Sequence, residues 1–149
     1  MGGEFRYSQF LFAKVMLSSG KNQNCKTGIY ALSAEDCLNQ LQRHPELTIA
    51  VSFFEIYSNK VFDLLNKKSR LSVRENKNGS IRVVNLTKVP VNSVDDVADV
   101  LSEGSKCRTS VQTSANSNSS RSHGVFQIIL MKGKKMHGTV NIMYKKQVF

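Results

Sequence analysis

The segment from Leu47 to Ile56 constrains the fold most. Leu47, Ile49, Val51 and Phe53 alternate with smaller or polar residues and run on through Phe54 and Ile56. That is the density of a strand largely buried on both faces, and such a strand needs neighbours and covering layers. Val125 to Met131 reads as a second one. A helix is predicted between Gly28 and His44-Pro45, with Ile29, Leu32, Leu38 and Leu41 at rough helical spacing and the proline as its stop. Ser93 can cap a second helix, in which Val94, Val97, Ala98 and Leu101 fall at i, i+3, i+4 and i+7 and Asp95 and Asp96 lie at its positive end. Its end is open: Gly104 could terminate it, or Cys107 and Val111 could extend the same face. Strands alternating with helices place the chain in the α/β class.

Between these elements the turn chemistry is local. Ser58-Asn59-Lys60 makes one turn. Leu71-Ser72-Val73-Arg74 and Ser80-Ile81-Arg82-Val83-Val84 flank Asn78-Gly79, two residues that tolerate positive φ, so a two-stranded tongue is expected. The run Asn116-Ser117-Asn118-Ser119-Ser120-Arg121-Ser122-His123 carries the densest chemistry. Serine and asparagine compete with backbone hydrogen bonding, so such a run makes a loop that changes conformation at little cost. Its hydroxyls suit phosphate and Mg²⁺, and Arg121 can hold a carboxylate bidentately. On composition alone a solvated Ser-rich linker is the plainer reading.

Composition narrows the partners. The 149 residues fit one domain, and a hydrophobic share of 40% with 21% charged residues is that of a chain able to build a core. Lys and Arg number 21 against 11 Asp and Glu, a net charge of +10 that favours an acidic partner without saying which. Cys25, Cys37 and Cys107 form no CxxC pair, so neither a zinc site nor a disulfide framework is indicated. Phe10 to Leu17 is apolar but too short to span a bilayer and contains Lys14; a buried strand or an interfacial patch is its plain reading. No signal peptide or myristoylation pattern opens the chain, and the expected location is the cytoplasm or nucleus.

Asn-x-x-Ser-Ser-Arg-Ser-His, at 116–123, resembles the switch I signature of kinesin motor domains at every specified position. Ser52-Phe53-Phe54-Glu55-Ile56-Tyr57 followed by Val61-Phe62-Asp63-Leu64-Leu65 resembles the kinesin central strand and the segment after it, in the same order. Gly28-Ile29-Tyr30-Ala31-Leu32, Cys107-Arg108-Thr109-Ser110 and Ala115-Asn116-Ser117-Asn118 are similar to the internal-motor subfamily, which depolymerises microtubules instead of walking on them. The resemblance implies the central portion of a kinesin-type P-loop NTPase motor, a mixed sheet flanked by helices, incomplete. Residues 1–18 are expected to be an atypical N-terminal segment or insertion, 19–138 a partial motor domain and 139–149 a divergent tail. A P-loop with its G-x-x-x-x-G-K-[ST] pattern does not occur in the chain, and no Asp-Leu-Ala-Gly-x-Glu of switch II follows Gly138.

Carried over onto matching positions, the resemblance makes Ser119, Ser120 and Arg121 catalytic. Ser120 would be the Mg²⁺ ligand that meets the terminal phosphate, Ser119 would position phosphate and attacking water, and Arg121 would pair with a switch II glutamate. Asn116, Ser119, Ser120, Ser122 and His123 would hold nucleotide or support the loop. Lys60, Arg74 and Lys77 match positions that present basic residues to tubulin; a solvated basic face is the alternative without the resemblance. ATP and Mg²⁺ are expected in a complete motor, none bound by this chain alone, with weak salt-sensitive tubulin binding at most. The partner is tubulin or the microtubule, with no membrane and no nucleic acid, and the location is the microtubule cytoskeleton, the spindle included.

Three other readings compete. An RNA-binding reading fails on Phe53, Phe54 and Tyr57, which sit in a core-like strand and not in an RNP pattern. A hydrolase triad of Ser122, His123 and Asp63 or Asp99 lacks a nucleophile elbow. A truncated or mis-spliced product without ATPase activity is the alternative kept, since a fragment of the sheet would leave edges unpaired and apolar faces uncovered.

Overall fold

The computed structural model describes residues 8–11, 29–109 and 122–145. The elements are β1 (Ser8–Leu11), α1 (Ile29–Leu41), β2 (Thr48–Tyr57), β3 (Lys60–Asp63), β4 (Ser69–Glu75), β5 (Ile81–Val84), β6 (Val89–Val91), α2 (Val94–Thr109), β7 (Ser122–Lys132) and β8 (Lys135–Lys145). The strands form one sheet in the order β1-β8-β7-β2-β3-β4-β5, with β6 beside β2. Among the described strands only β1 runs parallel to its neighbour, which makes the sheet mixed. The fold is α/β.

The sheet centres on β2 and β7, which pair antiparallel over ten residues from Thr48↔Met131 to Tyr57↔Ser122. The apolar run that singled out β2 in the sequence is buried from Ile49 to Glu55. Because side chains alternate across a strand, Ile49, Val51 and Phe53 share one face with Phe126 and Ile128 of β7 and Ile142 of β8. Both described helices close over this face. Tyr30 and Ala34 of α1 and Val97 and Leu101 of α2 join those strand residues in one buried core. Phe126 is its centre, taking Tyr30 edge-on at 5.4 Å and Phe53 at 5.9 Å between ring centroids.

α1 begins just after Gly28 and ends before Pro45, as its sequence signals imply. Its last turn tightens, with the amide of His44 donating to the carbonyl of Leu41 at 2.9 Å. Of the expected stripe, Leu38 and Leu41 pack against the core but Leu32 does not. Leu32 is 56% exposed, while Tyr30, Ala31 and Ala34 are buried. The helix is rotated so that Tyr30 reaches Phe126, a contact fixed by the sheet and not by the helix.

α2 starts with a reciprocal cap. The Asp96 amide donates to Ser93 Oγ at 3.1 Å, and Asp96 Oδ2 accepts from the amides of Ser93 at 3.1 Å and Asn92 at 2.9 Å. The open question of its end is resolved: the helix continues through Gly104 to Thr109. Gly104 is a point of close approach. A Cβ there would lie 2.3 Å from Cδ1 of Phe53, so only glycine lets α2 settle onto the ring.

β4 and β5 form the expected tongue. Its turn hydrogen-bonds Gly79 N–H to the Asn76 carbonyl at 2.9 Å and Asn76 N–H to Ser80 at 2.8 Å. Gly79 takes φ 75° while Asn78 is not among the positive-φ residues, the pattern of a type I turn followed by a left-handed glycine bulge. β8 pairs with β7 from Lys132↔Lys135 to His123↔Lys145, with a register shift between Leu130 and Met131 that lies opposite Gly138 and Met136. The two-residue turn Gly133-Lys134 joins them, with Gly133 at φ 59°.

Candidate functional site

One end of the β2–β7 pair carries a buried polar cluster. Glu55 on β2, Arg108 near the end of α2 and Ser122 at the start of β7 are each at most 6% exposed. Arg108 Nε donates to Glu55 Oε1 at 3.3 Å, and its Nη2 donates to Ser122 Oγ at 3.1 Å. The Ser122 hydroxyl donates to the same Glu55 Oε1 in a short hydrogen bond. Lys68, in the turn between β3 and β4, places Nζ 3.1 Å from Glu55 Oε2. Both carboxylate oxygens are thus engaged, and among the described residues no buried side-chain nitrogen or oxygen lacks a partner.

The sequence builds this cluster by parity and by a glycine. Glu55 follows Phe53 by two on the helix-covered face, and its cross-strand partner is Gly124. A Cβ at Gly124 would sit 3.0 Å from Arg108 Nη1. The missing side chain therefore leaves the space through which the guanidinium reaches Glu55. Burial pushes the Glu55 carboxyl up, but the hydrogen bond from Ser122 and then the charges of Lys68 and Arg108 outweigh it, and the group ends below its ordinary value. It is a carboxylate held ionised inside the fold.

A second buried carboxylate organises backbone on the other face. Asp63 of β3 accepts from the amides of Leu65 at 3.0 Å and Thr87 at 2.9 Å, and Ser52 Oγ donates to the Thr87 carbonyl at 2.6 Å. These bonds tie the connection between β5 and β6 down onto the centre of the sheet.

Of the residues singled out in the sequence, Asn116, Ser119, Ser120 and Arg121 lie outside the described residues. Ser122 is in the buried cluster, and His123 follows it on β7, half-buried and opposite Ile56. Lys60 is exposed at the start of β3, Arg74 is exposed on β4 and Lys77 lies exposed in the tongue's turn. Arg74 pairs directly across the tongue with Arg82, a like-charge pair that disfavours the hairpin unless an anion faces it. Among the described residues no group of three or more His, Cys, Asp or Glu could hold a metal. A Mg²⁺ ion would depend on hydroxyl oxygens of the kind the serine run offers, which suit that hard cation. Glu55, Arg108 and Lys68 were not read from the sequence as site residues. The available signal was a lone carboxylate in an otherwise apolar strand, eight residues before Asp63.

These features define an α/β protein whose mixed, curled sheet is covered by helices on one side and whose polar cluster sits where a helix gives way to a serine-rich run. The family model described as the kinesin motor domain matches residues 14–147, and the chain belongs to that family. Among solved structures it is similar to a fast kinesin, described for its ATPase mechanism and interactions with microtubules. Identity is 29%, the TM-score 0.65, and the match covers 78% of this chain and 35% of that one. The chain thus spans about a third of that kinesin's length. The matched family range includes β8 beyond Gly138.

Proposed function

We propose that the chain is the central part of an ATP-dependent microtubule motor of the depolymerising type, in which residues 116–123 sense the terminal phosphate and the β4–β5 tongue faces tubulin. One observation carries this reading: the Asn-x-x-Ser-Ser-Arg-Ser-His run of a kinesin family member contains, next to its last residue, Ser122, whose hydroxyl is fixed by Glu55 and Arg108. A loop that rearranges needs a rigid root, and the buried ion pair supplies one. In this reading Ser120 ligates Mg²⁺, Ser119 places the phosphate and the attacking water, and Arg121 closes the loop on a carboxylate. Asn116 and His123 support it. ATP with Mg²⁺ supplies the transferable phosphate; this chain's part is positioning and charge stabilisation. In this reading the N-terminal residues up to about 18 are an added segment ahead of the motor portion, and the family match carries that portion past Gly138 to residue 147.

Lys60, Arg74 and Lys77 then provide the cationic surface for acidic tubulin, and the Arg74–Arg82 pair supports the same assignment. The subfamily rests on the strings at 28–32, 107–110 and 115–118. The protein would work on the microtubule cytoskeleton, the spindle included. No described helix is long and apolar enough to cross a membrane.

The test places residues 14–147 in a complete motor and changes Ser120 and Arg121 separately to Ala. ATP turnover is expected to fall at least about 100-fold, the scale of losing a transition-state contact. Unchanged turnover in both variants overturns the reading. Release of tubulin from stabilised microtubules by the unaltered motor, without directed movement, tests the depolymerising assignment.

A further inference from the structure

Glu55 touches three segments that are far apart in the chain. Its Oε1 meets Arg108, one residue before the end of α2, and Ser122, the first residue of β7. Residues 110–121 lie between these two, so the helix before the serine-rich run and the strand after it converge on one carboxylate oxygen. Oε2 holds Lys68, and the next residue, Ser69, opens β4 and the tongue that carries Arg74 and Lys77.

The backbone at Lys68 is unusual. Lys67 and Lys68 adopt φ of 48° and 58°, left-handed values that cost a non-glycine residue energy and persist where surrounding contacts impose them. The Asn66 carbonyl accepts the Ser69 amide at 2.9 Å across this turn. The same turn carries the ion pair of Lys68 Nζ with Glu55 Oε2 at 3.1 Å, a contact that helps to hold it. A solvated linker needs no such turn and no buried partner.

We infer that Glu55 is a positioning residue that couples the root of the serine-rich run to the root of the tongue, with Lys68 as its contact on the tongue side and Arg108 and Ser122 on the other. The inference rests on the phosphate-sensing and tubulin-facing assignments made above. A shift of Ser122 or Arg108 alters what Oε1 accepts, and the same carboxylate carries the change to Lys68 and the start of β4. The two sites communicate through one ionised group on a rigid strand, a contiguous link of the kind that transmits coupling. Glu55 touches neither partner; it acts through these three neighbours.

The experiment measures amide hydrogen exchange, residue by residue, in the complete motor carrying residues 14–147. Lys68→Met removes the charge and keeps the aliphatic stem, and Ser122→Ala perturbs the other side. Each variant is expected to speed exchange about 10-fold at the remote site as well as its own: K68M at Arg108 and Ser122–Gly124, S122A at Ser69–Leu71, because coupling is reciprocal. K68R restores the protection, and microtubule-stimulated ATP turnover drops in K68M and returns in K68R. Exchange confined to the mutated side in both variants, with the fold intact by circular dichroism, overturns the coupling. If either variant melts during purification, Glu55→Gln, whose amide oxygen can still accept from the Ser122 hydroxyl, must loosen both remote segments or the inference fails. The assignment of the serine run fails separately, on S120A turnover, so the two failures are told apart.

Discussion

The two faces of the sheet are closed in different ways. On the helix-covered face, α1 and α2 press twelve buried residues into one core around Phe126. On the opposite face the buried apolar cluster is smaller, Phe54, Val61 and Val125, with Ile56, Leu71, Val83, Leu86 and Met143 half-covered around them. A cavity of about 1060 Å³ opens there, bordered by Lys88, Lys134 and Lys135. Ile81, at 72% exposure, and Val73, at 48%, extend its apolar wall along the tongue. The first face is finished by elements close in sequence to the strands they cover. The second has, among the described residues, only a curled hairpin and the segment tied down by Asp63. The polar cluster belongs to the finished face, so the rigid half of the molecule holds the root of the serine run.

The largest effect is expected where the closure is complete. Phe126→Ala should cost roughly 3 to 5 kcal/mol, the cost of emptying a packed aromatic site, whereas Met143→Ala on the open face should cost about 1 kcal/mol because water already reaches it. Chemical denaturation of the two variants measures the difference, and equal losses would mean that the faces are packed alike.

Arg108→Ala comes next, at about 3 kcal/mol, because it strips the buried Glu55 carboxylate of its guanidinium while Lys68 stays. A loss under about 0.5 kcal/mol would show that the cluster is wetter than its geometry. Gly104→Ala should cost about 1 to 3 kcal/mol from overpacking against Phe53, against a helix-propensity gain of about 1 kcal/mol. A stabilised variant would refute the close approach.

The smallest effect is a pH dependence. Since the folded Glu55 pKa lies below its unfolded value, the unfolded chain binds more protons in the acidic range. The contribution of Glu55 is therefore complete above about pH 4.3 and is lost as pH falls through the lower, folded pKa. Asp96, half-buried in the first turn of α2 and lowered by the amide of Asn92 and by Ser93, titrates in the same direction. Melting curves of wild type and E55Q between pH 3 and 6 isolate Glu55: the wild-type curve should fall more steeply toward acid. Parallel curves would contradict the assignment of Glu55 as a stabilising carboxylate.

Much of the finished face was legible, because β2 and β7 are dense apolar runs and α2 has a clean stripe behind a capping serine. Turns were legible where side chains specify them: Ser58 and Asn59 do adopt positive φ, and so does Gly79. Other features depend on distant partners. Nothing local in Lys67-Lys68 signals a left-handed turn; the ion pair to Glu55, thirteen residues upstream, accompanies it. The rotation of α1 away from Leu32 follows from Phe126, nearly a hundred residues later. The Gly133-Lys134 turn joins β7 to β8 through a glycine at positive φ, a local signal of the same kind as Gly79. The kinesin strings located the serine run, whereas its anchoring through Glu55 needed three-dimensional contacts.

The claim on which the account turns is that residues 116–121, rooted at Ser122, respond to a terminal phosphate. Amide exchange of those residues should be measured in the complete motor with Mg²⁺ and either ADP or a non-hydrolysable ATP analogue. The account predicts slower exchange with the ATP analogue than with ADP, while β2 stays equally protected in both. Identical exchange in the two nucleotide states would contradict it.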